Sequence, residues 1–332
     1  DSMIFDYFSN ESGNANSKIS FNNQNFSIDS NLRYGENPHQ DACYYKPENK
    51  EQVITQLHGK ELSYNNYFDI ESAIKIVLEF QEPACSIIKH ANPCGFGIGN
   101  NNLESYKKAV STDPVSFFGG IVAFNQIVDS DVADEMSKSF LECIVAPGFS
   151  NNAINILKKK KNLRIIVIKK DTIFNNFPSY NLKTVFNGFL YQTNDCFINE
   201  KSNFEIVSKR KPTTSEFSSL ELGWKLVKFV KSNAIVFSND KKLLGVGAGQ
   251  MSRVDSVKIA IEKAYNAKLS LKGSIMASDA FFPFPDGIEL AVKNGIKGII
   301  QPGGSLKDEE IIAAANKLNV FMIFTNERHF YH

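Results

Sequence analysis

DIESAIKIVLEFQEPACSIIKHANPCG, residues 69–95, decides the architecture. Ile70, Ile74, Val77 and Leu78 recur at helical spacing, so residues 69–80 read as a helix with one apolar face. After Pro83 the apolar run 84–88 reads as a buried strand. The same alternation continues on both sides. Helices are expected over 103–110, 132–140 and 151–160, and strands over 120–124, 141–146 and 163–168. Residues 169–211 carry mixed β-like runs and Gly188, and suit a junction. Beyond it, Thr213 and Glu216 form a capping-box pattern ahead of a helix that aligns Leu220, Trp224, Val227 and Val230. Strands near 234–237, 243–246, 274–277, 298–300 and 320–324 then alternate with helices over 254–267, 288–294 and 308–318. Two consecutive α/β blocks with mixed or mostly parallel sheets are the economical reading. Residues 9–31, rich in Asn and Ser and without periodicity, read as a linker or surface arm.

The bulk numbers narrow the function. In 332 residues, 42% are hydrophobic and 22% charged, with mean hydropathy −0.23, which suits a globular protein with ample core material. A net charge of +1 gives no global attraction to nucleic acid or anionic membrane, so any anion must be held by a local site. No apolar run approaches the roughly 18 residues that span a bilayer. The basic run Lys158–Lys161 reads as a solvated face. Five scattered cysteines without a C-x-x-C pair argue against a disulfide framework and a structural zinc site, and favour the cytosol.

Several polar segments fall at loops beyond strand ends, where such sheets usually hold ligands. Lys89-His90-Ala91-Asn92-Pro93-Cys94-Gly95 follows the strand at 84–88. Histidine is suited to proton transfer near neutral pH, and an adjacent ammonium can stabilise developing negative charge. Asn92-Pro93 then Gly95 suggests a sharp turn that presents both side chains. A surface lysine beside a hydrogen-bonded histidine is the plainer reading of this segment by itself. Arg33 and Tyr34, before Gly35, could clamp a phosphate and pack on a base or sugar, or merely line an exposed turn. Residues 245–250, GVGAGQ, have G-x-G-x-G spacing instead of the dinucleotide fingerprint. They read as a tight turn that sets Gln250, Ser252 and Arg253 at a helix N-terminus suited to an anion or carboxamide. In SDAFFPFPD, residues 278–286, aromatic rings fixed by prolines could sandwich a flat heterocycle or simply plug the loop. Gly119 and Gly120 would let a ligand approach the backbone. Pro302-Gly303-Gly304-Ser305 would offer bare N–H groups to an anion. The ending Arg328-His329-Phe330-Tyr331-His332 reads by default as a frayed tail.

Taken together, KHANPCG (89–95), LRYGENPHQ (32–40), GAGQMSRVD (247–255), SDAFFPFPD (278–286) and the RHFYH ending resemble the AICAR formyltransferase domain of bifunctional purine-biosynthesis enzymes, from about residue 32 to the end. Residues 1–10 resemble the end of that family's IMP cyclohydrolase domain, so the chain is expected to be a piece of something longer, with the cyclohydrolase site itself absent. The resemblance implies two tandem cytidine-deaminase-like α/β subdomains without zinc, at 32–200 and 201–332, preceded by a tail and linker at 1–31. It implies transfer of a formyl group from 10-formyltetrahydrofolate to the 5-amino group of AICAR, in a cytosolic homodimer with sites at the interface. The two small molecules would be its partners, with neither nucleic acid nor membrane. No metal is required, and a structural monovalent cation is compatible with it. His90 is implied as proton acceptor, Lys89 as transition-state stabiliser, and Asn233 as a third catalytic residue. Arg33, Tyr34, Gly119, Glu142, Arg253, Phe281 and Arg328 would bind the nucleotide. Val254, Asp286, Ser305 and Leu306 would lie near the folate. Glu142 stands where some relatives have Asp. Two other readings are IMP cyclohydrolase activity and a non-catalytic nucleotide-binding module.

Overall fold

The computed structural model of the chain describes residues 18–21, 24–48, 52–169, 180–195 and 204–332. Where an irregular arm is expected over 9–31, β1 (Lys18–Phe21) and β2 (Gln24–Leu32) form instead, and with β3 (Ala42–Pro47) beyond the expected arm they make an antiparallel three-stranded sheet. The Asn- and Ser-rich composition concealed strands whose order comes from cross-strand pairing more than from intrinsic preference. The part of the expected arm before residue 18 lies outside the described residues.

A six-stranded mixed sheet follows, ordered β4-β9-β8-β7-β5-β6. Its strands are β4 (Ile54–His58), β5 (Ala84–Lys89), β6 (Asn92–Ile98), β7 (Ile121–Phe124), β8 (Cys143–Ala146) and β9 (Arg164–Ile168). Helices α1 (Tyr64–Leu78), α2 (Asn102–Val110), α3 (Ser130–Ser137) and α4 (Asn151–Leu157) connect them. An antiparallel hairpin, β10 (Tyr180–Val185) and β11 (Gly188–Thr193), stands between the halves in sequence.

A second six-stranded sheet, ordered β12-β17-β16-β15-β13-β14, repeats the first strand for strand. It comprises β12 (Glu205–Ile206), β13 (Ile235–Ser238), β14 (Leu243–Gly247), β15 (Ile275–Ser278), β16 (Gly298–Gln301) and β17 (Phe321–Phe324). Helices α5 (Thr214–Val227), α6 (Arg253–Asn266), α7 (Asp286–Lys293) and α8 (Asp308–Lys317) occupy the places of α1 to α4. Every pairing keeps its direction: β7, β8 and β9 run parallel, as do β15, β16 and β17, and the other pairs are antiparallel. The rhythm visible in the sequence is therefore a repeat in topology.

Local chemistry explains the repeated elements. Both inner helices start with a reciprocal cap, Ser63 with Asn66 on α1 and Thr213 with Glu216 on α5, each contributing about 1 kcal/mol. Ser63 places the start of α1 five residues before the expected position. Alternate residues of each sheet face different cores. Ala84 and Ile88 of β5, and Val236 of β13, join α1 and α5 in one central cluster containing Ile70, Val77, Leu220 and Trp224. Cys85 and Ile87 turn outward under α2 to α4, whereas Ile235 and Phe237 turn outward under α6 to α8. The halves thus share an inner helical layer, and the edge strands β6 and β14 also meet, with Ile98 N–H donating to the Lys241 carbonyl at 2.8 Å.

The glycines at 245 and 247 belong to this packing. Both lie in β14, and a Cβ at Gly247 would run into the Ser256 carbonyl of α6. Gly97 of β6 does the same beneath α2, where a Cβ would sit 2.6 Å from the Ser105 carbonyl oxygen. The G-x-G pattern lets a helix lie directly on an edge strand in each half.

Candidate functional site

The Lys89–His90 segment forms the tip of a hairpin, a correction to the turn expected at Asn92 and Pro93. Asn92 already pairs with Lys89, and the turn consists of His90 and Ala91 with φ of 53° and 57°. Two left-handed residues fit the right-handed twist of a two-residue hairpin, but the usual occupants are Asn and Gly. An unusual support compensates here. The Asp69 carboxylate on α1 accepts the Ala91 N–H at 2.6 Å. Burial pushes the Asp69 carboxyl above its ordinary range, while the Ala91 N–H and neighbouring His90 pull it back. His90 itself is exposed.

Lys89 ends β5 and reaches toward the segment that leads into the adjacent β7, where its ammonium donates to the Phe118 carbonyl at 2.8 Å. That carbonyl precedes Gly119, whose φ of 71° is the left-handed conformation glycine favours. The Gly119 N–H donates to the Phe140 carbonyl at 2.9 Å. Glu142 closes the group: its N–H donates to the Gly120 carbonyl at 3.2 Å, and its carboxylate takes Arg164 at 2.7 Å. Lys89, Gly119 and Glu142 are therefore neighbours at the amino ends of β7 and β8.

The second half contributes its opposite end. Arg253 opens α6 with its guanidinium buried, donating to the Ser278 hydroxyl and Asn233 Oδ1, each at 2.8 Å, and pairing with Asp279. Asp279 is fully buried and also accepts the Ser232 hydroxyl at 2.5 Å. The Asn233 amide donates to the Gln250 and Met251 carbonyls at 2.9 and 3.2 Å. This cluster sits at the carboxyl end of β15.

Asn92 joins the two halves at the hairpin tip. Asn92 donates to the His90 carbonyl at 3.0 Å and accepts the Lys231 N–H at 3.0 Å, two residues before Asn233. The C-terminal segment is tied to the same place, contrary to the expected frayed tail. Ser232 and Tyr331 exchange two hydrogen bonds, at 2.9 and 3.1 Å. The Lys231 ammonium lies 3.8 Å from the Tyr331 ring centroid. His329 is buried against Trp224, its N–H on the Asp279 carbonyl and its ring paired with Asp195 at 2.6 Å. Arg328 is thereby presented at the surface over Phe330.

The remaining singled-out residues stand on adjoining loops. Arg33 lies over Tyr34, 5.5 Å from the ring centroid. Their loop is tied to the start of α1 by Asn65, which donates to the Glu36 carbonyl at 3.2 Å. Asn65 and Asp69 are one turn apart on α1, so one helix end positions both this loop and the hairpin tip. Phe281 is partly exposed beside buried Phe282, whose N–H is held by Gln301 at 2.8 Å. Val254 and Asp286 lie in the first turns of α6 and α7. Leu306, Met251 and Phe284 are exposed apolar side chains on neighbouring loops. The Gly304 and Ser305 amides expected to receive an anion already donate to Asp308, at 2.7 and 3.1 Å. The site's supports Asp69, Asn92, Ser232 and Asp279 were missed as site residues. Asn92 and Asp279 lay within the distinctive motifs, whereas nothing local marks Asp69 or Ser232.

The repeat supplies an internal comparison. Asn125 N–H donates to the Ala84 carbonyl at 3.4 Å, as Asp279 N–H does to Ala234 at the same distance. Asn102 opens α2 as Arg253 opens α6. The first half thus fills with two amides the positions that carry the buried ion pair in the second. This architecture does not itself require the charges.

Among the described residues, no three or more His, Cys, Asp or Glu side chains are grouped to hold a metal ion, and no helix is long and apolar enough to cross a membrane. The sequence profile of the AICARFT/IMPCHase bienzyme family matches residues 1–263. Similar proteins include three described as the bifunctional purine biosynthesis protein PurH. The Listeria monocytogenes protein (serovar 1/2a) is 47% identical over 337 aligned residues, covering 100% of this chain and 64% of its own length. That of Caldicellulosiruptor saccharolyticus is 48% identical over 339, with 100% and 64% covered. That of Desulfitobacterium hafniense DCB-2 is 49% identical over 304, with 91% and 58% covered. The chain spans about three fifths of the length of these curated relatives. With this identity across nearly all its residues, the chain belongs to the AICARFT/IMPCHase bienzyme family.

Proposed function

We propose that this chain carries the formyltransferase activity named in its family, moving the formyl group of 10-formyltetrahydrofolate to the 5-amino group of AICAR. The observation that supports it is the Asn92 bridge, which sets the Lys89–His90 tip beside the Asn233–Arg253 cluster. In this reading residues 32–200 and 201–332 are its two subdomains and 1–31 the tail of a preceding one. The chain works as a cytosolic homodimer with AICAR and folate as partners.

The accepting amine is a weak nucleophile, because its lone pair is delocalised into the imidazole and carboxamide, so orientation and a base carry the reaction. Asn233 and Arg253 hold the carboxamide. Arg33 and Arg328 take the 5′-phosphate, Tyr34, Gly119 and Phe281 line the nucleotide, and Glu142 holds a ribose hydroxyl. Val254, Asp286, Ser305 and Leu306 line the folate side, with the exposed apolar surface of Leu306 and Phe284 available to a flat ring. His90 accepts the proton lost by the amine as its nitrogen bonds to the formyl carbon. Lys89 stabilises the oxyanion or assists departure of the folate N10, which leaves with its bond electrons and regains a proton.

The test is turnover. Purified chain should form the 5-formamido product, and His90→Ala should be slower by roughly 10²–10⁴-fold, the usual contribution of a general base. Full activity in that variant would remove His90 from its role. Release of IMP from the formylated nucleotide would favour a cyclohydrolase, and AICAR binding without turnover a binding module.

A further inference from the structure

The hairpin carrying Lys89 and His90 differs from its counterpart in how its turn is held. In the second half, β13 and β14 are joined by a turn closed from within: Asn239 Oδ1 accepts the N–H groups of Lys241 and Lys242 at 2.9 and 2.8 Å. In the first hairpin the side chain from within, Asn92, donates to the His90 carbonyl and does not accept the turn's N–H groups. Both tip residues are left-handed without being glycine, and the acceptor for the Ala91 N–H comes from α1, 22 residues earlier. Successive N–H groups of a turn can converge on an anion, and those of His90 and Ala91 both face the Asp69 carboxylate. Asp69 provides the anion. Counting from the N-caps Ser63 and Thr213, the matching position on α5 is Ser219, so this helix position needs no carboxylate.

We infer that Asp69 is a positioning residue for the reaction: its carboxylate fixes the left-handed turn and thereby aims Lys89 and His90 at the substrate. The inference rests on the formyl-transfer reading above. Asp69 does not touch the reacting atoms. It acts through the backbone at Ala91, while Asn92 fixes the other side of the same turn against Lys231. A neutral side chain would let the tip relax toward ordinary backbone conformations, and an error of about 1 Å at a reacting group is enough to cost on the order of 10²-fold.

The experiment compares Asp69→Asn and Asp69→Ser with the unaltered chain, the second being the residue α5 carries. Each is measured for kcat, for AICAR Kd by calorimetry, for melting temperature and for amide exchange at Ala91. The inference expects kcat to fall roughly 10–100-fold, with AICAR Kd within about twofold, unchanged melting and faster exchange at Ala91. It also expects Asp69→Asn to slow His90→Ala by less than it slows the unaltered chain, because part of its effect runs through His90. Native kcat in both variants overturns it, as does an undiminished further loss in the His90→Ala background. If Asp69→Asn does not fold, Asp69→Ser is judged by the same criteria. The readouts also separate this inference from the reading beneath it. Absence of formyl transfer by the unaltered chain refutes the reading, while Ala91 exchange still tests whether Asp69 holds the turn. An inactive His90→Ala with a fully active Asp69→Asn refutes only the positioning role.

Discussion

Asp279→Asn tests why the chain buries an ion pair in one half where the other manages with amides. Asp279 is fully buried and Arg253 is 8% exposed, so the carboxylate's removal strands a guanidinium away from water. Breaking such a pair from one side costs about 3–5 kcal/mol. Arg253 retains the Ser278 hydroxyl and Asn233 Oδ1 as acceptors, which places the expectation near 3 kcal/mol. Arg253→Met leaves Asp279 with the Ser232 hydroxyl and costs a similar amount. The double variant removes both charges, and replacing a whole buried pair is often neutral, so it should be more stable than either single variant by about 2 kcal/mol or more. Urea titration followed through Trp224 is a clean assay, because the chain has one tryptophan and it is buried in the central layer. The double variant should also have lost AICAR binding. Additivity within about 0.5 kcal/mol would refute the energetic argument. A double variant that binds AICAR with native affinity would refute the view that the charges serve the ligand.

Further outcomes follow from the same geometry. Burial tends to raise the Glu216 carboxyl, but the Thr213 N–H and Arg210 outweigh it and hold the group below its usual 4.5. Its contribution is therefore complete above pH 4.5 and lost as pH falls through the lower folded value. Glu216→Gln should cost about 1 kcal/mol at neutral pH, with the difference closing in acid-range urea titrations. Gly247→Ala should destabilise by about 1–3 kcal/mol, read in the same titration, because its methyl would meet the Ser256 carbonyl. Arg33→Ala should leave stability within about 0.5 kcal/mol, since Arg33 is exposed, yet weaken AICAR binding roughly 10–100-fold in calorimetry.

How much of this was legible in the sequence depended on whether the cause was local. α5 was readable because Thr213 and Glu216 mark its start and Leu220, Trp224 and Val227 mark its buried face. The start of α1 was hidden because its box is closed by Asn66 in place of Glu or Gln. β6 was hidden because Asn-Pro-x-Gly reads as a turn, whereas Gly95 and Gly97 are required by the backbone of α2 above them. Lys89, His90 and Arg253 stood out through their residue types and surroundings. Asp69 did not, since an acceptor on a helix for a turn 22 residues away exists only in tertiary structure. The ion pair was hidden for the same reason: Arg253 and Asp279 each occupied a recognisable motif, but only the fold brings them together.

The most direct test of the composite site is a structure of the chain with AICAR bound. The account predicts the 5-amino nitrogen within hydrogen-bond reach of the His90 ring, about 2.6–3.2 Å. It also predicts the carboxamide on Asn233 and Arg253, and the phosphate beside Arg33 or Arg328. AICAR bound away from the hairpin tip, with no contact to His90 or to the Asn233–Arg253 cluster, would contradict it.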